Sequence, residues 1–100
     1  MKIHTCALMP FEANDAFFTR DSGLLCHSLQ ALGIESRVVM PALDEGAKPD
    51  PPEIIRAKPD EIIDPVWWRS LGIDAVIFIT WGFKQHTPMI RAARREGIAL

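Results

Sequence analysis

Three glycine-isoleucine pairs constrain the fold of this chain more than any other feature, because each ends a helix-like stretch and starts an apolar run. They are Gly33-Ile34, Gly72-Ile73 and Gly97-Ile98. A glycine just past a helix end adopts the left-handed conformation without steric cost, and the apolar residue after it can pack back onto the last turn. The sequence therefore predicts alternating strands and helices, which form a mainly parallel sheet covered by helices.

The predicted strands are the apolar runs at residues 3–8, 37–40 and 75–80. The third run contains β-branched and aromatic residues without interruption, which is typical of a strand buried on both faces. A fourth strand is predicted to begin at Ile98, close to the last residue of the chain. The expected fold is a Rossmann-like α/β sheet with flanking helices, a single partial domain over residues 1–100 that is truncated at the start of its fourth strand.

Prolines mark the segments between these strands. Residues 42–60 combine prolines with charged residues, and this pattern predicts a flexible Pro-rich loop. Asp64-Pro65 and Thr87-Pro88 each place a capping residue before a proline at the first helical position, where the missing N–H costs nothing. The sequence therefore predicts two further helices, one after each pair.

The start of the first helix has two solutions, because Asn14 and Asp21 are both acceptable N-caps. The earlier start accounts for an apolar stripe that runs from Phe18 to Leu32, at the cost of a glycine, Gly23, inside the helix. The later start removes that cost but leaves the phenylalanines in a loop. Both solutions stay open at the level of the sequence.

Composition excludes several classes of protein. The chain is 48% hydrophobic, which is enough for one small core, and its formal net charge of -2 gives no basic excess for a nucleic-acid partner. No apolar run approaches the roughly 20 residues that span a bilayer, so no transmembrane segment is expected. Two cysteines, Cys6 and Cys26, in a chain without a signal peptide are typical of reduced thiols, so the predicted location is cytoplasmic.

Motifs that define common enzyme classes do not occur in the sequence. There is no G-x-x-x-x-G-K-[ST] phosphate loop and no G-x-G-x-x-G after the first strand. The histidines, His4, His27 and His86, lie far apart in the sequence, and together with the two cysteines they show no zinc spacing. The sequence therefore predicts no metal site and no cofactor, and it identifies no catalytic residue.

Ligands of open α/β sheets bind at the carboxyl ends of the strands, which directs attention to the loops at residues 9–22 and 80–87. The polar and aromatic candidates in these loops are Glu12, Asn14, Asp15, Thr19, Arg20, Asp21, Ser22, Trp81, Lys84, Gln85 and His86. Each also has a structural explanation: Asp21 and Ser22 could cap a helix, and Trp81 could pack beneath its own loop.

Two stretches carry a resemblance to a known family. The segments RDSGL at residues 20–24 and LGIESRVVMP at residues 32–41 resemble the amino-terminal domain of family 4-like glycosyltransferases with the two-Rossmann GT-B architecture. The segment IDAVIFITWG at residues 73–82 and the later AARREGI at residues 92–98 are similar to that family's next strand, helix and Gly-Ile junction. The resemblance covers nearly the whole chain.

The resemblance implies an acceptor-side half-site. It places Ser22-Gly23 near the family's glycine loop, and it places Trp81-Gly82 at a turn that faces the acceptor cleft. The implied substrate-binding residues are Asn14, Arg20, Asp21, Ser22, Gly23, Trp81, Gly82 and His86. A nucleotide sugar and a sugar acceptor are the implied partners of the full-length enzyme, and no turnover is expected from this chain alone.

A second hypothesis comes from a different functional class. A small noncatalytic α/β module could complete its sheet by pairing an open strand edge with another chain, including a second copy of itself. A homo-oligomer formed through that edge is the partner this hypothesis implies.

Overall fold

The computed structural model describes residues 1–7, 13–19, 21–42, 50–79 and 87–95. The described strands are β1 (Ile3–Ala7), β2 (Val38–Pro41), β3 (Ile54–Ala57) and β4 (Ala75–Ile79). The described helices are α1 (Asp15–Phe18), α2 (Asp21–Ala31), α3 (Pro65–Ser70) and α4 (Thr87–Arg95).

The strands form one parallel sheet in the order β3-β2-β1-β4. Thr5 pairs with Val38 of β2 on one side and with Ile77 of β4 on the other, so β1 lies inside the sheet. Helices pack on both faces, which confirms the predicted Rossmann-like α/β class.

Strand β3 lies inside the segment at residues 42–60 that the sequence predicts to be a flexible loop, so that prediction is wrong for residues 54–57. Ile54 and Ala57 pair with Val38 and Pro41 of β2. The strand has four residues, too few to show a period, and its extended conformation is fixed by pairing with β2. The run predicted as the third strand is therefore the fourth in chain order, β4.

Two finer predictions about strands also change. β2 is Val38–Pro41, so it begins one residue later than predicted and includes the proline. Strand β4 was expected to be buried on both faces, yet the side chain of Ile77 is 36% exposed while Val76 on the opposite face is fully buried. The reason is that α2 packs mainly on β1 and β2, away from β4.

One face of the sheet carries a core built around Trp68. Its indole ring is fully buried, lies 5.9 Å from the ring of Phe78 and donates a hydrogen bond from Nε1 to the carbonyl oxygen of Ile62 at 2.8 Å. The other buried members of this cluster are Cys6, Val39, Ala57, Ile62, Ile73, Val76 and Ala92.

The opposite face carries a smaller core beneath α1 and α2. Its buried members are Ala7, Cys26, Val38 and Met40, and Phe17 of α1 packs against them. Cys6 and Cys26 are both free thiols and belong to different clusters on opposite faces of the sheet, so they cannot form a disulfide with each other.

The predicted helix stops are confirmed at Gly33 and Gly72, whose φ angles are 81° and 63°. After α2, the N–H of Gly33 donates to Gln30 and the N–H of Ile34 donates to Leu29, which together form a complete Schellman motif. The third junction, at Gly97, and the fourth strand predicted from Ile98 lie outside the described residues.

The predicted first helix is divided in two: Asn14 is confirmed as an N-cap, whereas Asp21 is the first helical residue of the second helix rather than its cap. Asn14 caps the short helix α1, and its Oδ1 accepts a hydrogen bond from the N–H of Phe17 at 3.0 Å. A separate helix, α2, then begins at Asp21. The Asp64-Pro65 start of α3 is confirmed, since the Asp64 carboxylate accepts from the N–H of Val66 at 2.9 Å.

Candidate functional site

The carboxyl edge of the sheet contains a topological switch point. The chain passes from β1 outward to β2 and β3 and then returns to β4 on the other side of β1. Ala7 and Ile79, the last residues of β1 and β4, are direct partners in the sheet. The two strands therefore end side by side, at the kind of switch point where open α/β sheets form a crevice.

Half of the predicted site residues lie outside the described part of the chain: Arg20, Trp81, Gly82 and His86. Of Asp21 the structure describes the backbone, which opens α2. Asn14, Ser22 and Gly23 are described in full, and all three belong to the contact between α1, α2 and β1.

Each of these three residues makes a structural contact. The exposed Asn14 uses its side-chain oxygen to cap α1. The buried Ser22 accepts, through its carbonyl oxygen, a hydrogen bond of 3.1 Å from the hydroxyl of Thr5. A Cβ atom on Gly23 would lie 2.5 Å from the carbonyl oxygen of Phe17 and 2.9 Å from its ring, so this glycine lets α1 approach α2 closely.

The described thiols are poor nucleophiles. Burial raises the pKa of the Cys6 thiol far above its ordinary value. Burial also raises the pKa of the Cys26 thiol, whose Sγ donates to the carbonyl oxygen of Ser36 at 3.5 Å. Because only a thiolate attacks or binds metal, neither cysteine is suited to catalysis.

The amino edge of the sheet holds a second polar region, which the sequence did not reveal. His27 of α2 places Nε2 3.2 Å from Oε2 of Glu53, directly before β3. The imidazole is stacked on the ring of Phe18, with the centroids 4.4 Å apart and the planes nearly parallel. The contact joins α1, α2 and the start of β3.

A cavity of about 290 Å³ opens next to this pair. Its walls come from the end of α2, the segment before β2 and the turn before β3, and its lining residues are Gln30, Glu35, Ser36, Arg37, Pro52 and Glu53. The Gln30 amide donates a hydrogen bond of 2.9 Å to the carbonyl oxygen of Ser36, which fixes one wall.

His4 on β1 lies beside this region. It is 2% exposed, and its Nδ1 accepts a hydrogen bond from the backbone N–H of Arg37 at 3.3 Å. Burial lowers the pKa of His4 to about 4, and the positive charges of Lys2 and Arg37 act in the same direction. The imidazole is therefore neutral near neutral pH, as the accepting role of Nδ1 requires.

The sequence could not reveal the amino-edge cavity because its walls come together through strand β3. Glu53 follows His27 by 26 residues and lies in the stretch predicted as a loop. Locally, the sequence shows only that Glu53 is charged and precedes the isoleucines at residues 54–55. Neither feature identifies its partner on α2. Within the described ranges, no group of three or more His, Cys, Asp or Glu side chains is arranged to hold a metal ion.

No helix in the described part of the chain combines the length and apolar character needed to cross a membrane. Comparison of the chain with protein-family models, with curated proteins and with solved structures found no match.

Proposed function

We propose that this chain is the amino-terminal, acceptor-side part of a nucleotide-sugar-dependent glycosyltransferase. The observation that supports it is the pairing of Ala7 with Ile79, since β1 and β4 therefore end side by side at the switch point. The reaction class comes from the resemblance of residues 20–24, 32–41 and 73–82 to GT-B enzymes.

In the proposed reaction, the bond between the anomeric carbon of the donor sugar and its diphosphate breaks. A bond forms from that carbon to the oxygen of an acceptor hydroxyl, the nucleoside diphosphate leaves with the electron pair, and the hydroxyl proton passes to the departing diphosphate. Holding the leaving diphosphate requires cations or N–H donors directed at it. The side chain of Asn14 and the carbonyl of Ser22 already make structural hydrogen bonds, so we assign donor binding to another domain and expect no turnover from this chain alone.

The two loops would form one wall of the acceptor cleft. Trp81 follows β4 and offers an aromatic face for a sugar ring, and His86 offers a hydrogen-bonding side chain five residues later. Arg20 and Asp21 lie in the sequence between Phe17 of α1 and Gly23 of α2, two residues that the structure brings into close contact.

The test is a titration of the isotopically labelled chain, followed by amide chemical shifts, with glucose, mannose and N-acetylglucosamine and separately with UDP-glucose and GDP-mannose. We expect at least one acceptor sugar to shift the amides of residues 14, 22–23 and 80–87 saturably. We expect His86→Ala to weaken that binding at least fivefold. The control Arg94→Ala, at an exposed position near the end of α4, should leave it within twofold.

Absence of saturable shifts with every sugar would overturn the proposal, as would equal weakening by His86→Ala and Arg94→Ala. A concentration-dependent dimer in sedimentation experiments, combined with absence of sugar binding, would instead support the noncatalytic module that pairs its sheet edge with another chain.

A further inference from the structure

The amino-edge cavity has walls of mixed charge. Two acidic residues, Glu35 and Glu53, and one basic residue, Arg37, line it. Oε1 of Glu35 lies 3.6 Å from Nζ of Lys2, and Oε2 of Glu53 lies 3.2 Å from Nε2 of His27. Each carboxylate therefore already has a basic side chain beside it. Among the described residues, no carboxylate lies within ion-pair distance of Arg37.

The cavity also has neutral hydrogen-bonding groups. The Gln30 amide nitrogen donates to the carbonyl oxygen of Ser36, and this leaves the amide oxygen as an acceptor. Ser36 is 2% exposed, and its hydroxyl has no hydrogen-bond partner among the described residues. A buried hydroxyl without a partner is unfavourable, so this part of the fold is not optimised as a closed core.

We propose that this cavity binds a small monocarboxylate that carries a hydrogen-bond donor, an ammonium or a hydroxyl, on the carbon next to the carboxylate. Arg37 would bind the carboxylate, because a guanidinium matches its two oxygens. Glu53 and the amide oxygen of Gln30 would accept from the donor group. A volume of about 290 Å³ suits a ligand of the size of an amino acid or a hydroxy acid.

The two glutamates define which anions the cavity rejects. A dicarboxylate or phosphate would bring a second negative charge toward Glu35 or Glu53, and like charges at short range repel. A cation without a carboxylate would leave Arg37 unpaired and would meet its positive charge. The charges of the cavity walls therefore disfavour both ligands with a second negative charge and cations that lack a carboxylate.

The experiment is a titration of the labelled full chain, near neutral pH and at low salt, with alanine, lactate, succinate, inorganic phosphate and ethylamine. We expect alanine or lactate to shift the amides of residues 30, 35–37 and 53 saturably. If alanine binds, the donor group is an ammonium, and if lactate binds, it is a hydroxyl; either result supports the proposal. Succinate, phosphate and ethylamine should bind at least tenfold more weakly.

Variants separate the site from general charge effects. Arg37→Gln should weaken binding at least tenfold, and Glu53→Gln should weaken it about fivefold. Two exposed residues outside the cavity, Arg94 of α4 and Asp60 in a turn, serve as matched controls. Arg94→Gln and Asp60→Asn should each change the binding affinity less than twofold. Circular dichroism of each variant would verify that the fold is retained.

Three results would overturn the proposal: no saturable shift with alanine and lactate, unchanged binding in Arg37→Gln, or succinate binding as tightly as lactate. Shifts confined to residues 80–87 would also overturn it, because they would place the ligand at the opposite edge. Sugar binding at the carboxyl edge is tested by different amides and different variants, so either proposal can fail alone.

Discussion

The two faces of the sheet are filled in opposite ways. On one face a single large ring, Trp68, is buried together with Ile62, Ile73 and Val76. On the other face α2 approaches the strands closely, and the buried positions along this helix are occupied by the small residues Ser22, Gly23 and Cys26.

We therefore expect the two faces to tolerate opposite changes in side-chain size. The Trp68 face depends on volume, so removing atoms there leaves a cavity. The α2 face depends on close approach, so adding atoms there forces the backbone apart. This contrast is tested by replacing a large residue with a small one on the Trp68 face and a small residue with a larger one on the α2 face.

The largest effect is expected for Trp68→Ala, which removes the buried ring and leaves the carbonyl of Ile62 without its donor. We expect a loss of about 3–5 kcal/mol in the free energy of unfolding, measured by urea denaturation. Trp68→Phe should lose less and should stay folded if the alanine variant does not. Trp67→Ala, next to it in α3 but only half-buried, is the matched control, and an equal loss there would contradict a core centred on Trp68.

The second largest effect is a loss of stability in acid, which we expect from His4 on the Trp68 face. The unfolded imidazole takes up a proton as the pH falls below 6.5, whereas the folded one resists until the pH reaches about 4. Stability should therefore fall across this interval, by on the order of 3 kcal/mol, and this contribution should change no further below it.

The measurement is the urea midpoint between pH 7 and pH 4 for the wild type and for His4→Asn, which keeps a hydrogen-bond acceptor but does not titrate. We expect the asparagine variant to lose most of the acid sensitivity in this interval. The control His27→Asn, on the α2 side, should retain it. Identical pH profiles for wild type and His4→Asn would show that the buried imidazole does not cause the acid sensitivity.

A smaller effect is expected for Gly23→Ala on the α2 face. Alanine favours helix more than glycine does, but its Cβ would lie 2.5 Å from the carbonyl oxygen of Phe17. We expect a net loss of about 1–3 kcal/mol, because a backbone atom has to move. Adding Phe17→Ala should not rescue the variant, since the carbonyl remains. Leu24→Ala, an exposed neighbour, should change stability by roughly 0.5 kcal/mol or less.

The smallest effects should come from the helix caps on the two faces. Asp64→Ala removes the acceptor of the Val66 N–H, and about 1 kcal/mol should be lost. Asn14→Ala should cost less in global unfolding, because the four-residue helix α1 can fray locally. Asp64→Asn and Asn14→Asp keep an acceptor and should be close to wild type. A larger loss from Asn14→Ala than from Asp64→Ala would show that α1 unfolds only with the whole domain.

Prediction from the sequence succeeded where a single residue governs the backbone around it. Gly33 and Gly72 adopt positive φ, and Asp64 caps α3 as its pairing with Pro65 indicates. It was less successful for the helical stripe, whose last member, Leu32, is 76% exposed. Leu32 follows the last residue of α2 and belongs to the Schellman turn, and an apolar period alone does not indicate where the helix ends.

For the candidate site, the sequence directed attention to the loops after β1 and β4, and the structure shows that these two strands are neighbours that end at a common edge. The sequence could not show that Asn14 caps a separate helix or that Gly23 serves the packing of Phe17. Both facts depend on how α1 folds back on α2. The roles assigned to Arg20, Trp81, Gly82 and His86 stay predictions.

By itself, the sequence determined the α/β class, the helix stops and two of the helix caps, because a positive φ angle or a capping hydrogen bond involves residues within one turn of each other. Only the tertiary structure decided the strand order β3-β2-β1-β4, the existence of β3 and the contact of His27 with Glu53. These features join residues far apart in the chain, and their free energy comes from strand pairing and burial that no local segment contains.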